Sequence, residues 1–179
     1  MAKDKQLIKC VIFTLRKENV IVPEALVAEI VSVKDIETDE STPDWYLGDM
    51  KWRDTSIPLV SFEAAAGMEY ARVNLNTQAI VLYAVGNGEA VSENPYLALV
   101  MSGVPHTSSF SRQQFKLDSE AEEDHPMVSQ NVRINGARVS ILDVDAMVEM
   151  ISEANNLSPA FINTSGVEAS DRPTAPEVH

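Results

Sequence analysis

Three histidines, one cysteine and a few closely spaced acids are the residues of this 179-residue chain best suited to chemistry. A nucleophilic centre needs a nucleophile beside an oriented base, and a metal centre needs several N, O or S donors at short spacing. His106, His125 and His179 are scattered, without a partner at helical spacing or a cysteine nearby. Cys10 stands alone, which excludes an internal disulfide and a thiolate cluster. It lies in the apolar run Leu7-Ile8-Lys9-Cys10-Val11-Ile12-Phe13, where a buried, inert thiol is expected. Asp143-Val144-Asp145 reads as a helix N-cap with a first-turn acid rather than as cation ligands. Gly86-Asn87-Gly88 lacks the Lys-Ser/Thr and the helix that a phosphate loop requires. The sequon Asn163-Thr164-Ser165 has no meaning without secretion. No metal or cofactor is expected, and the chemistry points to a binding module rather than an enzyme. An alternative stays open: a small ligand-sensing or catalytic β domain whose site the fold assembles from scattered carboxylates. A third reading is a purely structural subunit of an envelope machine.

Charge narrows the partners. The net charge is −13, from 27 acidic and 14 basic residues. Such a surface repels phosphate backbones, and no Lys/Arg cluster breaks it, so nucleic-acid binding is not expected. Hydrophobic residues make up 45% of the chain but aromatic ones only 6%, so the core must be built from Val, Ile, Leu, Ala and Met. No stretch approaches the roughly 20 apolar residues of a membrane span. The N-terminal apolar run is broken by Lys9 and has no small-residue cleavage site, unlike a signal peptide. A cytoplasmic protein without membrane insertion is expected.

The elements that must position any site are mostly strands. Apolar segments are short, rich in Val and Ile, and separated by turn residues. Leu7–Leu15, Val20–Val22, Leu26–Val33, Ile57–Phe62, Gln78–Val85 and Tyr96–Ser102 read as strands. Val132–Ile134 and Arg138–Leu142 flank Asn135-Gly136-Ala137, and the Asn-Gly pair tolerates the positive φ of a tight hairpin. A looser copy runs from Leu47–Trp52 through Arg53-Asp54-Thr55 to Ile57–Val60, with Asp54 as the expected turn residue. Pro58 cannot donate to a ladder, so this strand is expected at a sheet edge. The two matched units suggest two similar β-lobes. Helix is scarce: a turn over Phe62–Ala66 closed by Gly67, and a helix over Asp143–Ile151 with Val144, Met147, Val148 and Ile151 on one face. Gly86–Pro95, the acidic segment Asp118–Pro126 and the tail from Asn155 to His179 read as solvated. The boundaries are therefore one domain of two lobes over 1–154 and a flexible tail over 155–179.

The segment Thr42-Pro43-Asp44-Trp45-Tyr46-Leu47-Gly48-Asp49-Met50-Lys51-Trp52-Arg53-Asp54-Thr55-Ser56-Ile57-Pro58-Leu59-Val60 resembles the central signature of CheW-like domains. Pro43, Leu47, Gly48, Arg53, Ile57, Pro58 and Val60 fit its order and spacing. Val27-Ala28-Glu29-Ile30 is similar to the family's Val-x-Glu-Ile/Val element. Tyr96–Val104, and later Asn135–Asp143, are similar to its second half. The resemblance covers about Leu7 to Ile151. Lys51, Asp54 and Ser61 depart from the usual Asn, Gly and Asp, which points towards an accessory member, as in chemosensory systems that govern type IV pilus twitching.

The resemblance implies an all-β fold of two SH3-like five-stranded β-barrels on a shared core, with a short C-terminal helix. It implies a non-enzymatic adaptor that couples a chemoreceptor cytoplasmic tip to a CheA-type histidine kinase, a monomer acting within an array, with no cofactor. The candidate partner-binding residues are Val27, Ile30, Trp45, Leu47, Gly48 and Arg53. Val27 and Ile30 equally suit a core. Trp45, with Tyr46, either packs over a barrel end or anchors a partner. Gly48 suits a close backbone approach or an unusual backbone angle. Arg53 either contacts a partner or orders its loop through a salt bridge.

Overall fold

Both faces of the first strand are buried, and that sets the architecture. β1 (Leu7–Leu15) turns Val11, Phe13 and Leu15 into one core and Cys10, with Ile8 and Ile12, into another. A strand covered on both sides needs an apolar run rather than strict alternation, which is what its sequence supplies. The computed structural model describes residues 6–15, 18–69, 72–86, 89–90, 95–121 and 124–157. β2 (Glu18–Pro23) and a 3-10 turn lead to β3 (Val27–Ser32), β4 (Ile36–Glu37), β5 (Tyr46–Trp52), β6 (Thr55–Val60) and α1 (Phe62–Ala65). Then come β7 (Gln78–Tyr83), the short pair β8 (Val85–Gly86) and β9 (Glu89–Ala90), and the long β10 (Tyr96–Ser111). A second 3-10 turn (Arg112–Gln114), β11 (Phe115–Leu117), β12 (Val128–Ile134), β13 (Ala137–Leu142) and α2 (Val144–Leu157) complete the chain described.

The strands make two SH3-like barrels joined through β10. The first half of β10 pairs with β7 and, in parallel, with β6, and its second half pairs with β1. One lobe is ordered β11-β12-β13-β2-β1-β10, the other β3-β7-β10-β6-β5-β4. The lobe of β11–β13 is therefore completed by a hairpin from the other end of the chain, β1–β2, whereas the lobe of β3–β6 is completed by β7 and the first half of β10, which follow it in sequence. Each lobe has its own interior, and a third, larger core lies between them. That shared core joins Phe13, Val20, Ile80, Leu82, Leu97 and Leu99 to Phe62 and to Val144, Met147, Val148 and Ile151 of α2. The four α2 residues are those expected from helical spacing. Asp143 caps the helix, accepting from the Ala146 N–H at 2.9 Å.

Several local expectations need correction. β10 runs on to Ser111, well past Ser102. Pro105 is accommodated because the β1–β10 register shifts there, between Ile12↔His106 and Thr14↔Ser102, so the proline falls where the ladder is interrupted. β6 is not an edge strand, since it lies between β5 and β10. Pro58 is tolerated because the β10 pairing begins only at Leu59. Phe62 belongs to α1 rather than to β6. α2 continues through Leu157, so Asn155 to Leu157 are helical rather than the start of a tail. Residues 158–179 of that tail, and much of Gly86–Pro95, lie outside the described residues.

The Asp118–Pro126 segment is not simply solvated. Asp118 has only 2% of its side chain exposed and meets Arg133 Nε at 3.3 Å and Arg138 Nε at 3.1 Å. Those arginines face each other across the β12–β13 hairpin, where like charges repel, and Asp118 and Glu120 neutralise them. His125 fastens the other end of the segment. Its ring stacks on Phe62 at 3.8 Å, Nδ1 accepts from the Met127 N–H at 3.0 Å, and Nε2 donates to the Phe62 carbonyl at 2.7 Å. Two of the three histidines thus lie in strand β10 and in this structural clasp, not in a shared centre.

Candidate partner-docking site

The hairpin β5–β6 carries three of the candidate residues, Leu47, Gly48 and Arg53. Trp52 pairs with Thr55, so Arg53 and Asp54 form a two-residue turn. The residue in the left-handed region is Arg53, at φ 55°, and not Asp54. An arginine there is strained compared with Asn or Gly, and its side chain accounts for the choice. The guanidinium lies 4.3 Å above the Trp52 ring and 3.4 Å from Glu29 Oε2 on β3. Trp52 Nε1 donates to the same carboxylate oxygen at 2.9 Å. Trp52 then meets Tyr96 at 4.7 Å between ring centroids, and Tyr96 meets Tyr83 at 5.2 Å. An aromatic ladder, topped by an arginine, closes one end of this lobe. The Arg53 side chain remains 65% exposed.

Gly48 holds the hairpin against β4. Its φ is 140°, and a Cβ there would lie 2.4 Å from the Glu37 carbonyl oxygen. Both backbone roles considered for Gly48 therefore apply at once. The β5–β6 register shifts between Tyr46 and Gly48, and Leu47 is the extra residue, packed at the margin of this lobe's interior.

Of the other candidates, two face the shared core. Val27 and Trp45, with Leu26, Ala65, Val128 and Met150, form its half-buried rim. Ile30, further along β3, is 40% exposed. The structure thus brings Val27 and Trp45 to the rim where the lobes meet. Arg53 and Leu47 belong to the outer lobe, and Gly48 supports the backbone between. Sequence reading left out Glu29, Trp52, Tyr83 and Tyr96. Glu29, Trp52 and Tyr96 lie inside the quoted motifs, but only the fold shows that they meet.

Among the described residues, the two carboxylates whose ionisation is shifted, Asp49 and Asp118, stand in different lobes. Tyr46 is buried and its hydroxyl donates to Asp49 at 2.6 Å. Burial, the bond and the negative neighbour push its ionisation far above the ordinary range, so it stays neutral. Burial also raises the Asp49 carboxyl, with Glu37 and Asp39 adding repulsion, despite the bond from Tyr46. Asp118 is the opposite case. Burial raises it, but the Glu120 N–H and the two arginines outweigh that and hold it below the usual carboxylate range. A polar cavity of about 790 Å³ adjoins it. A carboxylate kept ionised by two arginines is poorly suited to donate a proton. Burial likewise raises the Cys10 thiol, as expected for an inert cysteine. Among the described residues, no group of three or more His, Cys, Asp or Glu could hold a metal ion, and no helix is long and apolar enough to cross a membrane.

Comparison with known proteins agrees with this architecture. The crystal structure of the scaffolding protein TtCheW from Thermoanaerobacter tengcongensis is similar in fold, with a TM-score of 0.61 and 16% identity, covering 76% of this chain and 89% of that one. No curated protein matches. A family model described as the CheW-like domain matches residues 9–152. The match takes in both lobes, the β5–β6 hairpin and most of α2, and the chain belongs to the CheW-like domain family.

Proposed function

We propose that this chain is a non-enzymatic chemotaxis adaptor that couples a chemoreceptor tip to a CheA-type histidine kinase in the cytoplasm. The observation that carries the reading is the exposed Arg53 guanidinium, placed over Trp52 and against Glu29 on the β5–β6 turn. Arginine and aromatic residues ordered before contact lose little entropy on binding, which is the character of an interface anchor. The half-buried rim of Val27, Trp45, Leu26 and Met150 supports a second surface, where a helical hairpin lays its apolar side between the lobes. The edge strands β3 and β4, with Ile30 exposed, suit the kinase contact. The departures at Lys51, Asp54 and Ser61 favour an accessory rather than a main coupling role.

The test is a pull-down of the purified protein with cytoplasmic extract of its own organism, using wild type and Arg53→Glu. Recovery of a receptor or a CheA-type kinase by wild type, lost by a folded Arg53→Glu, supports the reading. Recovery of neither, or an Arg53→Glu protein unfolded by circular dichroism, overturns respectively the function or the role of Arg53.

A further inference from the structure

The two lobes have related strand orders but unequal fillings. In the lobe of β3–β6 the interior contains Met50 and Trp52, with Tyr96 against it. The fully buried interior of the other lobe has only the smaller Cys10, Ile21, Val132, Ile134 and Val139, with Phe110 and Phe115 packed half-buried at its margin. A five-stranded barrel is normally filled by its own side chains, so smaller residues leave room. That room is a groove of about 360 Å³, open to solvent, walled by Ile8, Ile21, Phe115, Leu117, Val132 and Ile141. It falls within the range of about 300–1,000 Å³ typical of small-molecule sites, and barrel mouths are a common place for them.

Charge selects the occupant. In a chain of net charge −13, none of the residues lining this groove is acidic. Its lining includes Arg112, whose guanidinium makes no hydrogen bond or ion pair among the described residues, and Gln130, whose amide is likewise without a partner there. Leu117, at 71% exposed, extends the apolar wall outward. An apolar trough with one unpaired guanidinium and one amide matches a molecule with an aliphatic tail and a single carboxylate.

We propose that this groove binds a small amphiphilic carboxylate, its chain along Ile8, Ile21, Val132 and Ile141 and its head on Arg112. The site lies in the lobe opposite to Arg53 and does not depend on the adaptor reading.

The test uses the full chain with labelled isoleucine methyls, titrated with octanoate and separately with octanol. Octanoate is expected to shift Ile8, Ile21 and Ile141 saturably, with a Kd of about 1 mM or below. Arg112→Gln is expected to weaken octanoate about tenfold and leave octanol unchanged, since only the carboxylate makes a charge-assisted bond. Arg112→Lys should restore part of the loss. No saturable shift, octanoate binding indifferent to Arg112→Gln, or equal weakening of octanol would each overturn the proposal. So would an acidic, leucine-containing peptide that shifts the same methyls and displaces octanoate with at least about tenfold higher affinity, because the groove would then be a peptide site.

Discussion

Glu29 on β3 and Trp52 at the end of β5 are joined by a 2.9 Å hydrogen bond from the indole N–H to the carboxylate. The same oxygen receives Arg53. A single acidic side chain therefore anchors a buried ring and orders an exposed cation.

The two bonds differ in worth, which separates two variants. Arg53 and Glu29 are both largely exposed, so their ion pair contributes little to stability. Trp52 is buried, and an indole N–H without an acceptor costs on the order of 1–3 kcal/mol. Glu29→Ala should lower the urea midpoint accordingly, while Glu29→Gln, which keeps an acceptor, should lose under about 1 kcal/mol. Equal midpoints for wild type and Glu29→Ala would show that the bond holds nothing.

Gly48 should tolerate no side chain. The nearest atom to an added Cβ is backbone, the Glu37 carbonyl at 2.4 Å, so β4 would have to move away. Gly48→Ala is expected to cost on the order of 3 kcal/mol, combining overpacking with an unfavourable φ. Hydrogen exchange should show the loss of protection concentrated in β4 and β5. A variant with unchanged stability and unchanged exchange would rule this out.

Two aspartates should respond to acid in opposite directions. The folded value of Asp118 is depressed, so its stabilisation is present above the unfolded value of about 3.9 and is lost as pH falls through the folded one. The folded value of Asp49 is raised, so its contribution is present below about 3.9 and is lost as pH rises through the folded one. Asp118→Asn should flatten the acid limb of a stability-versus-pH curve and destabilise the protein at neutral pH. Asp49→Asn, which can still accept from Tyr46, should be neutral or stabilising at pH 7. Thermal unfolding of both variants from pH 3 to 8 tests the signs, and matching slopes in the two would contradict the assignment.

Much of the fold was legible because its local chemistry is unambiguous. β1 spans the residues its apolar run marks, and Asn135 and Gly136, at φ 51° and 85°, make the expected tight turn. The failures have a common cause, which is that tertiary contacts overrode local signals. Asp118 reads as solvated until two arginines from a distant hairpin reach it. Arg53 is a poor left-handed residue by type, and the conformation is held by contacts from its own strand and from β3. Pro58 reads as an edge residue because sequence does not show that its strand gains a second neighbour only one residue later. The candidate site was half legible for the same reason. Its motif residues could be named, but the ladder from Trp52 to Tyr83 joins segments that only the sheet brings together.

The placement of β1–β2 in the lobe of β11–β13 governs when this protein can fold. During synthesis β1–β2 emerges before its partner strands β10 and β13, which lie about a hundred residues downstream. Neither lobe has all its strands until β10 has been made, and the earlier lobe still needs it after β3–β7 exist. Long-range pairing of this kind slows folding, because loop-closure entropy is spent before contacts return it. The nascent chain must hold two apolar strands without their cover, which makes them the segments most exposed to wrong pairing before release. Cutting the gene between the lobes would then yield two fragments that fold together or not at all.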